Sequence, residues 1–367
     1  MTNKKLPTEQ KMIEQLRSGK IGLPPISFRL IEDQPVIDGK VRLDALIEAS
    51  WRSRVVKFAV ELKSISTPKV FQEAVGFLKS LTLHAGCKPM LFMPFLSEQQ
   101  LRELEAAGVS GIDMVGNGVI ALDEMVVFRT GVKNPFSSSA PIKNIYRRNS
   151  SMVARVFLAS SVYETVQDIC SEVNRRNMLV KYRLKKDMSL STVSKALNTL
   201  VQDLIVDRKD QIRLLQADKL LEKLNANYEP PRIKSRARFR LSTAPDSISQ
   251  LIFRESRELD LPMVSTGGSS VTRYAVMQKG EMLSVYCPSI DGLMERLDGD
   301  ESDRFPNLEL IETEDETVYF DHREDKGVCW SSPVQCYLEL TAGDKRDREA
   351  AEQVKSYILA NFQRPFQ

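Results

Sequence analysis

The chain has 367 residues, and at about 100–200 residues per domain this length predicts two or three domains. With 42% hydrophobic and 28% charged residues it is excluded from the disordered and fibrous classes. The net charge of +3 is unevenly spread: Lys and Arg against Asp and Glu number 18 to 15 in residues 1–142, 21 to 10 in 143–240 and 13 to 24 in 241–367, so the middle of the chain is expected to face a polyanion.

Two linkers, "KNPFSSSAPIKN" (133–144) and "NYEPPRIKSRAR" (227–238), concentrate residues that sustain neither helix nor strand. They divide the chain into expected domains 1–135, 145–230 and 236–367. In the first, "GKVRLDALIEAS" and "SRVVKFAVELKS" are predicted strands, "TPKVFQEAVGFLKSLTLHAG" a helix, "KPMLFMPF" a buried strand and "SEQQLRELEAAG" a helix opened by Ser97. "GIDMVGNGVIAL" and "EMVVFRTG" add strands. That order predicts an α/β core of sheet and flanking helices.

The second domain is predicted to hold helices at "SSMVARVFLASS", "YETVQDICSEVNRR" and "SLSTVSKALNTLVQDLIV", followed by a hairpin at "DRKDQIRLL". The third alternates strands ("MLSVYCPS", "NLELIETED", "ETVYFDH", "PVQCYLELT") with helices ("DSISQLIFRESREL", "KRDREAAEQVKSYILANF"). The expected class is therefore α/β and α+β multidomain. No apolar run approaches the roughly 20 residues of a membrane helix, and the first 20 residues have no apolar signal core. A cytoplasmic protein with no membrane partner is expected.

Chemistry is constrained by what is scarce. Two histidines, His84 and His322, argue against His-based metal sites and Ser-His-Asp catalysis. Five dispersed cysteines (Cys87, Cys170, Cys287, Cys329, Cys336) with no C-x-x-C pair predict reduced, mostly buried thiols. In "VVKFAVELKS", the strand period of two sets Glu61 and Lys63 on one face, about 7 Å apart. Asp44, on a neighbouring strand or its end, is placed to share a metal with Glu61, and Mg²⁺ so held supplies charge neutralisation and an activated water.

Asp44, Glu61 and Lys63, with Gln72 on the following helix, resemble the PD-(D/E)xK restriction-endonuclease-like family. The resemblance implies a restriction-endonuclease-like fold with Asp44 and Glu61 as metal ligands, Lys63 assisting the attacking water and Mg²⁺ as cofactor. A scaffold that keeps these residues without cleavage is the alternative. "GIDMVGNG", with Asp113 and Asn117 among glycines, is read as a tight structural turn or as part of that site.

In "SLSTVSKALNTLVQDLIV" the spacing of Leu190, Val193, Leu197, Leu200 and Val201 predicts a buried stripe. It leaves Ser189, Ser191, Thr192, Ser194, Lys195 and Asn198 outward, where small polar residues enter a major groove. Arg208 and Lys209 fall in the hairpin. Arg175, Arg176, Lys181, Arg183, Lys185 and Lys186 precede the helix as candidate phosphate contacts. The arrangement looks like a winged helix-turn-helix of bacterial regulators, with double-stranded DNA as partner.

"VSTGGSSVTRYA" is similar to the phosphate-cradling turn of nucleotidyltransferase folds, which suggests a C-terminal α/β nucleotidyltransferase-like domain. The strand that follows has no carboxylate, so transfer chemistry is not expected. "LEAAGVSGIDMVGNGVIAL", the central helices, "TGGSSVTRYA" and "SPVQCYLELTAGDKRDREAAEQVKSYIL" together resemble AbiEi-type antitoxin-like transcriptional regulators of type IV toxin-antitoxin systems. That resemblance implies a DNA-binding regulator of antitoxin or phage-defence type with a cognate toxin partner. Such a regulator is expected to be a homodimer and to need no cofactor. A Mg²⁺-dependent endonuclease targeted by its own winged helix is the rival expectation.

Overall fold

The computed structural model describes residues 5–37, 41–83, 86–136, 144–183, 187–277, 282–297 and 299–361. The chain falls into two compact units, residues 1–143 and 144–367, each mixed α/β.

The first unit runs α1 (Glu9–Arg17), β1 (Gly22–Leu23), β2 (Ile26–Asp33), β3 (Val36–Ile37), β4 (Val41–Arg42), β5 (Ala45–Trp51), β6 (Arg54–Leu62), α2 (Pro68–Ser80), β7 (Cys87–Met93), α3 (Glu98–Ala106), β8 (Ser110–Asp113), β9 (Gly118–Leu122) and β10 (Met125–Arg129). Eight of these strands form one sheet in the order β1-β2-β5-β6-β7-β8-β9-β10. β2, β5 and β6 make an antiparallel meander, and β7 lies parallel to β6 after the α2 crossover. The sheet separates two cores, one joining Met12 and Leu16 of α1 to Ile47, Phe58 and Phe92, the other joining Phe71 and Leu78 of α2 and Leu104 of α3 to Leu91. α2 starts where Thr67 caps it and Pro68 supplies a preset φ, and α3 starts on a Ser97–Gln100 capping box. The stretch "GKVRLDALIEAS", expected as one strand, is broken at Leu43 and Asp44, and that break turns Asp44 toward β6.

Asp113 and Asn117 are structural. The Asp113 carboxylate, 1% exposed, accepts the backbone N–H groups of Leu96, Val115, Gly116 and Asn117 at 2.8–3.1 Å, and the Asn117 side-chain amide at 2.8 Å. Asn117 in turn exchanges two hydrogen bonds with the backbone of Val132.

The second unit begins α4 (Ser151–Ala159), β11 (Val162–Tyr163), α5 (Val166–Arg176), α6 (Met178–Arg183), α7 (Leu190–Gln202), β12 (Val206–Arg208), β13 (Ile212–Leu214) and α8 (Ala217–Ala226). The hairpin β12–β13 takes β11 as its third strand, in the order β11-β13-β12. The short α6 occupies the long stretch between α5 and α7. The chain continues β14 (Ser235–Leu241), α9 (Pro245–Glu258), β15 (Val264–Ser265), α10 (Gly267–Ser270), β16 (Leu283–Cys287), α11 (Asp291–Met294), β17 (Gly299–Glu301), β18 (Leu308–Glu312), α12 (Glu316–Tyr319), β19 (Arg323–Asp325), β20 (Val328–Trp330), α13 (Pro333–Thr341) and α14 (Lys345–Asn361). Seven strands form a mixed sheet ordered β17-β14-β18-β16-β15-β20-β19.

Two expected strands of this unit are helices. "ETVYFDH" is the single turn α12, nucleated by Asp315, whose carboxylate accepts the Thr317 N–H. "PVQCYLELT" is α13, launched by the Ser332 cap and Pro333. Its residues are buried nearly all round, so their β-forming types masked the helical start signal. Among the described residues, no helix is long and apolar enough to cross a membrane.

Asp113→Ala strips five donors of their acceptor and is expected to destabilise the first unit by at least about 3 kcal/mol. Hydrogen exchange of β7–β9 amides in urea measures this. An unchanged midpoint would contradict the structural role.

Candidate functional site

The β5–β6 ladder ends at the pair Ala45 and Val60. Asp44, just before it, leaves that register, its N–H donating to Val60 O at 3.2 Å, and its side chain reaches along β6 so that Oδ2 accepts the Leu62 N–H at 2.6 Å. Lys63, just past the strand, donates from Nζ to Glu61 Oε1 at 2.5 Å. Asp44, Glu61 and Lys63 are thus brought together at one end of the sheet. Gln72 is not part of that group, because its amide is exposed and donates to Glu103 of α3 at 2.7 Å.

Sequence reasoning missed a fourth member, Glu9. It stands in the first turn of α1, lies within 3.5 Å of the Ser64 hydroxyl, and acts electrostatically on both Glu61 and Lys63. Met12 and Leu16 mark α1 as an amphipathic helix, but no local pattern ties that helix to a strand far along the chain. Three carboxylates against one ammonium leave the site short of positive charge. Burial, with Asp44 and Glu9 adding repulsion, raises the Glu61 pKa against the pull of Lys63. For Lys63 burial is the largest single effect and works the other way, but the hydrogen bond to Glu61 and the charges of Glu61, Asp44 and Glu9 together outweigh it, so the ammonium holds its proton more tightly than usual. The site is therefore suited to accept a cation, with Asp44 and Glu61 as the residues able to hold one.

In the second unit α7 opens on Ser189, whose Oγ accepts the Thr192 N–H at 3.3 Å and lies 2.9 Å from Thr192 Oγ1. These two hydroxyls are occupied with the helix end. Val193, Ala196, Leu197 and Leu200 are buried. Leu190 is 46% exposed, contrary to the expected stripe, because the side chain of a first helical residue leans back over a turn that does not exist. Ser191, Lys195 and Asn198 share one exposed face at helical spacing, with Ser194 half-buried beside them. Arg208 and Lys209 are exposed at the tip of β12–β13, between Asp207 and Asp210. Lys195, Arg208 and Lys209 form no ion pair among the described residues.

The other candidate cations differ. Arg175 is bidentate to Glu172 at 2.7 and 2.8 Å. Arg176 bonds Glu172 and Asp321, its side chain 10% exposed, so it holds the end of α5 to the segment between α12 and β19 and is not available to a phosphate. Lys185 and Lys186, and the side chains of Lys181 and Arg183, lie outside the described residues. The Gly-Gly-Ser-Ser segment is α10, where the Gly267 N–H donates to Glu339 Oε2 at 2.7 Å. A carboxylate of the protein itself sits where a phosphate would. A Cβ at Gly267 would meet Cys336 Cα at 3.0 Å, so this approach requires glycine.

No protein-family model, curated protein or solved structure matches this chain.

The raised pKa of Glu61 carries a sign. The stability it contributes is complete below the usual glutamate value of 4.5 and is lost as pH rises through the higher folded-state value. Glu61→Gln, neutral throughout, is expected to melt above the parent at about pH 8 and to lose that advantage near about pH 4. Loss of the partner of Lys63 limits the gain. Melting curves of both proteins across this range decide it; an offset independent of pH would refute the account.

Proposed function

We propose that the chain is a sequence-specific, double-stranded-DNA-binding transcriptional regulator of antitoxin or phage-defence type. In this reading α4, β11, α5, α7 and the β12–β13 hairpin are a winged helix-turn-helix, with α7 entering the major groove. One observation carries it: Ser191, Lys195 and Asn198 form an exposed polar face, and Lys195, like Arg208 and Lys209 on the neighbouring hairpin, is uncommitted to any carboxylate among the described residues. A cation with no internal partner is free to displace counterions from a phosphate backbone, and small polar side chains beside it leave room for base edges. We assign the C-terminal segment, with 13 Lys and Arg against 24 Asp and Glu over 241–367, to a cognate protein partner. Two copies matched to two half-sites are the DNA-bound form this reading expects.

A second reading is favoured by the first unit. Glu9, Asp44, Glu61 and Lys63 converge where a meander of three antiparallel strands is followed by a helix and a parallel strand. This order is the one expected of a restriction-endonuclease-like domain. Mg²⁺ held by Asp44 and Glu61 would neutralise phosphate charge and acidify a bound water. Asp44 would present the oxygen not taken by Leu62, and Glu61 would part from Lys63, whose ammonium would then steady the water or the scissile phosphate.

Binding to DNA from the chain's own promoter region is expected to weaken steeply as salt rises. Lys195→Ala is expected to bind roughly fivefold more weakly, about 1 kcal/mol, with a shallower salt dependence. Unchanged binding in that variant would remove α7 from the interface. For the second reading, supercoiled plasmid incubated with Mg²⁺ is expected to be nicked or linearised by the parent and to stay intact with Glu61→Ala or a chelator. Intact plasmid in every lane would leave binding without cleavage.

A further inference from the structure

The hairpin at the edge of the seven-stranded sheet gathers three side chains with no part in the DNA-binding or cleavage readings. β19 and β20 are joined through Lys326 and Gly327, whose φ values of 49° and 77° are those of a type I′ turn. The turn fixes the pairing of Asp325 with Val328 and of Glu324 with Cys329. Directly opposed residues of an antiparallel pair project from the same face, so a carboxylate and a thiol stand side by side. Just before β19 the chain passes through Asp321, at φ 55°, and delivers His322 to the same place. A ring nitrogen of His322, a carboxylate oxygen of Glu324 and Sγ of Cys329 all lie within 4.8 Å of one another.

The His322 ring is touched by the Tyr319 backbone, but its Nδ1, shut off from solvent, has no hydrogen bond of good geometry among the described residues, where a buried nitrogen ordinarily has one. Cys329 is buried and Glu324 exposed. A cleft of about 300 Å³, lined by Met178, Tyr182, Arg257, Glu324 and Cys329 among others, gives an entry path.

We propose that His322, Glu324 and Cys329 form a binding site for a divalent cation of the zinc type. Imidazole, carboxylate and thiolate are the donor mix that zinc accepts, and three protein ligands leave a fourth position to water. Three atoms at the 4.8 Å limit would hold an ion about 2.8 Å from each, against roughly 2.0–2.3 Å for bonds to zinc. Binding therefore draws the three donor atoms together by roughly half an ångström or more each, with the exposed Glu324 side chain moving most freely and the His322 and Cys329 side chains closing the rest. As the sulfur–metal bond forms, the thiol proton leaves to solvent. Arg257, whose guanidinium lies 2.7 Å from where a Gly327 Cβ would stand, lines the same cleft and opposes the incoming cation. The scarcity of histidine in the sequence pointed away from such a site, but one histidine suffices where cysteine and glutamate complete the set.

Cobalt(II) titrated into the metal-free, reduced full-length protein tests this. One Co²⁺ per chain is expected, with a near-ultraviolet thiolate-to-cobalt charge-transfer band that Zn²⁺ displaces. Cys329→Ser should abolish the band, and His322→Ala and Glu324→Gln should each weaken binding by at least about tenfold. Cys87→Ser should change neither. Circular dichroism checks that each variant is folded, and Glu324, being exposed, can be changed without disturbing the core. Absence of the band from the parent, its persistence in Cys329→Ser, or unaltered affinity in folded Glu324→Gln would overturn the assignment.

Discussion

A cation that solvent does not reach organises the second unit. Arg155 of α4 is 4% exposed; its Nη1 donates to Thr317 O at 3.2 Å and to Gln335 Oε1 at 2.8 Å, while its Nε has no partner. Burial pulls its pKa down to about 10, and the charges of Tyr228, Asp315, Glu339 and Asp321 act in the opposite direction. Leaving such a charge without its acceptors costs several kcal/mol, so α4 must stay seated against α12 and α13. α5 and α7 pack on α4 and inherit that seating. Arg176 to Asp321 and Asn177 to Glu316 repeat the tie one helix further on. The exposed face of α7 is therefore oriented by an anchor on the opposite side of its own module.

The first unit answers a different electrostatic problem. Asp113 is a buried carboxylate given every donor it can use, and it rigidifies a turn. Glu61 is a half-buried carboxylate given one ammonium and two like charges. Burial disfavours ionisation of both acids; what separates them is their partners, five donors fixed around Asp113 and a single side-chain ammonium beside Glu61.

Much of this was legible from local pattern. The helix from Ser189, the strand carrying Glu61 with Lys63 just past its end and the turn at Asp113 follow from caps, from periodicity and from glycines at turns. What stayed hidden depends on long-range packing. Arg176 looks like any cation of a basic stretch until Asp321, far along the chain, is seen to bond it. Glu9 and the trio His322, Glu324 and Cys329 have no spacing that announces them, since each group is assembled by strand pairing or by docking of a helix. The residues of α13 carry strand-forming side chains inside a helix because its burial on nearly every side erases both periodicities. Leu190 fits the apolar spacing of α7 but precedes the first turn that packs.

The two-residue connection between β5 and β6, at Arg52 and Ser53, has a consequence for how this chain tolerates changes of length. Trp51 pairs with Arg54 directly across that turn, and side chains alternate between faces at every residue. Inserting or deleting one residue within β6 would transpose Glu61 and Lys63 with Val60 and Leu62, carrying two charges onto the face of Phe58 and α1 and two apolar groups onto the opposite face. A two-residue change would keep the faces but slide Glu61 about 7 Å past Asp44. Length variation between Asp44 and Glu61 is thus confined to the tip of the hairpin, and substitution is the route by which this stretch can diverge.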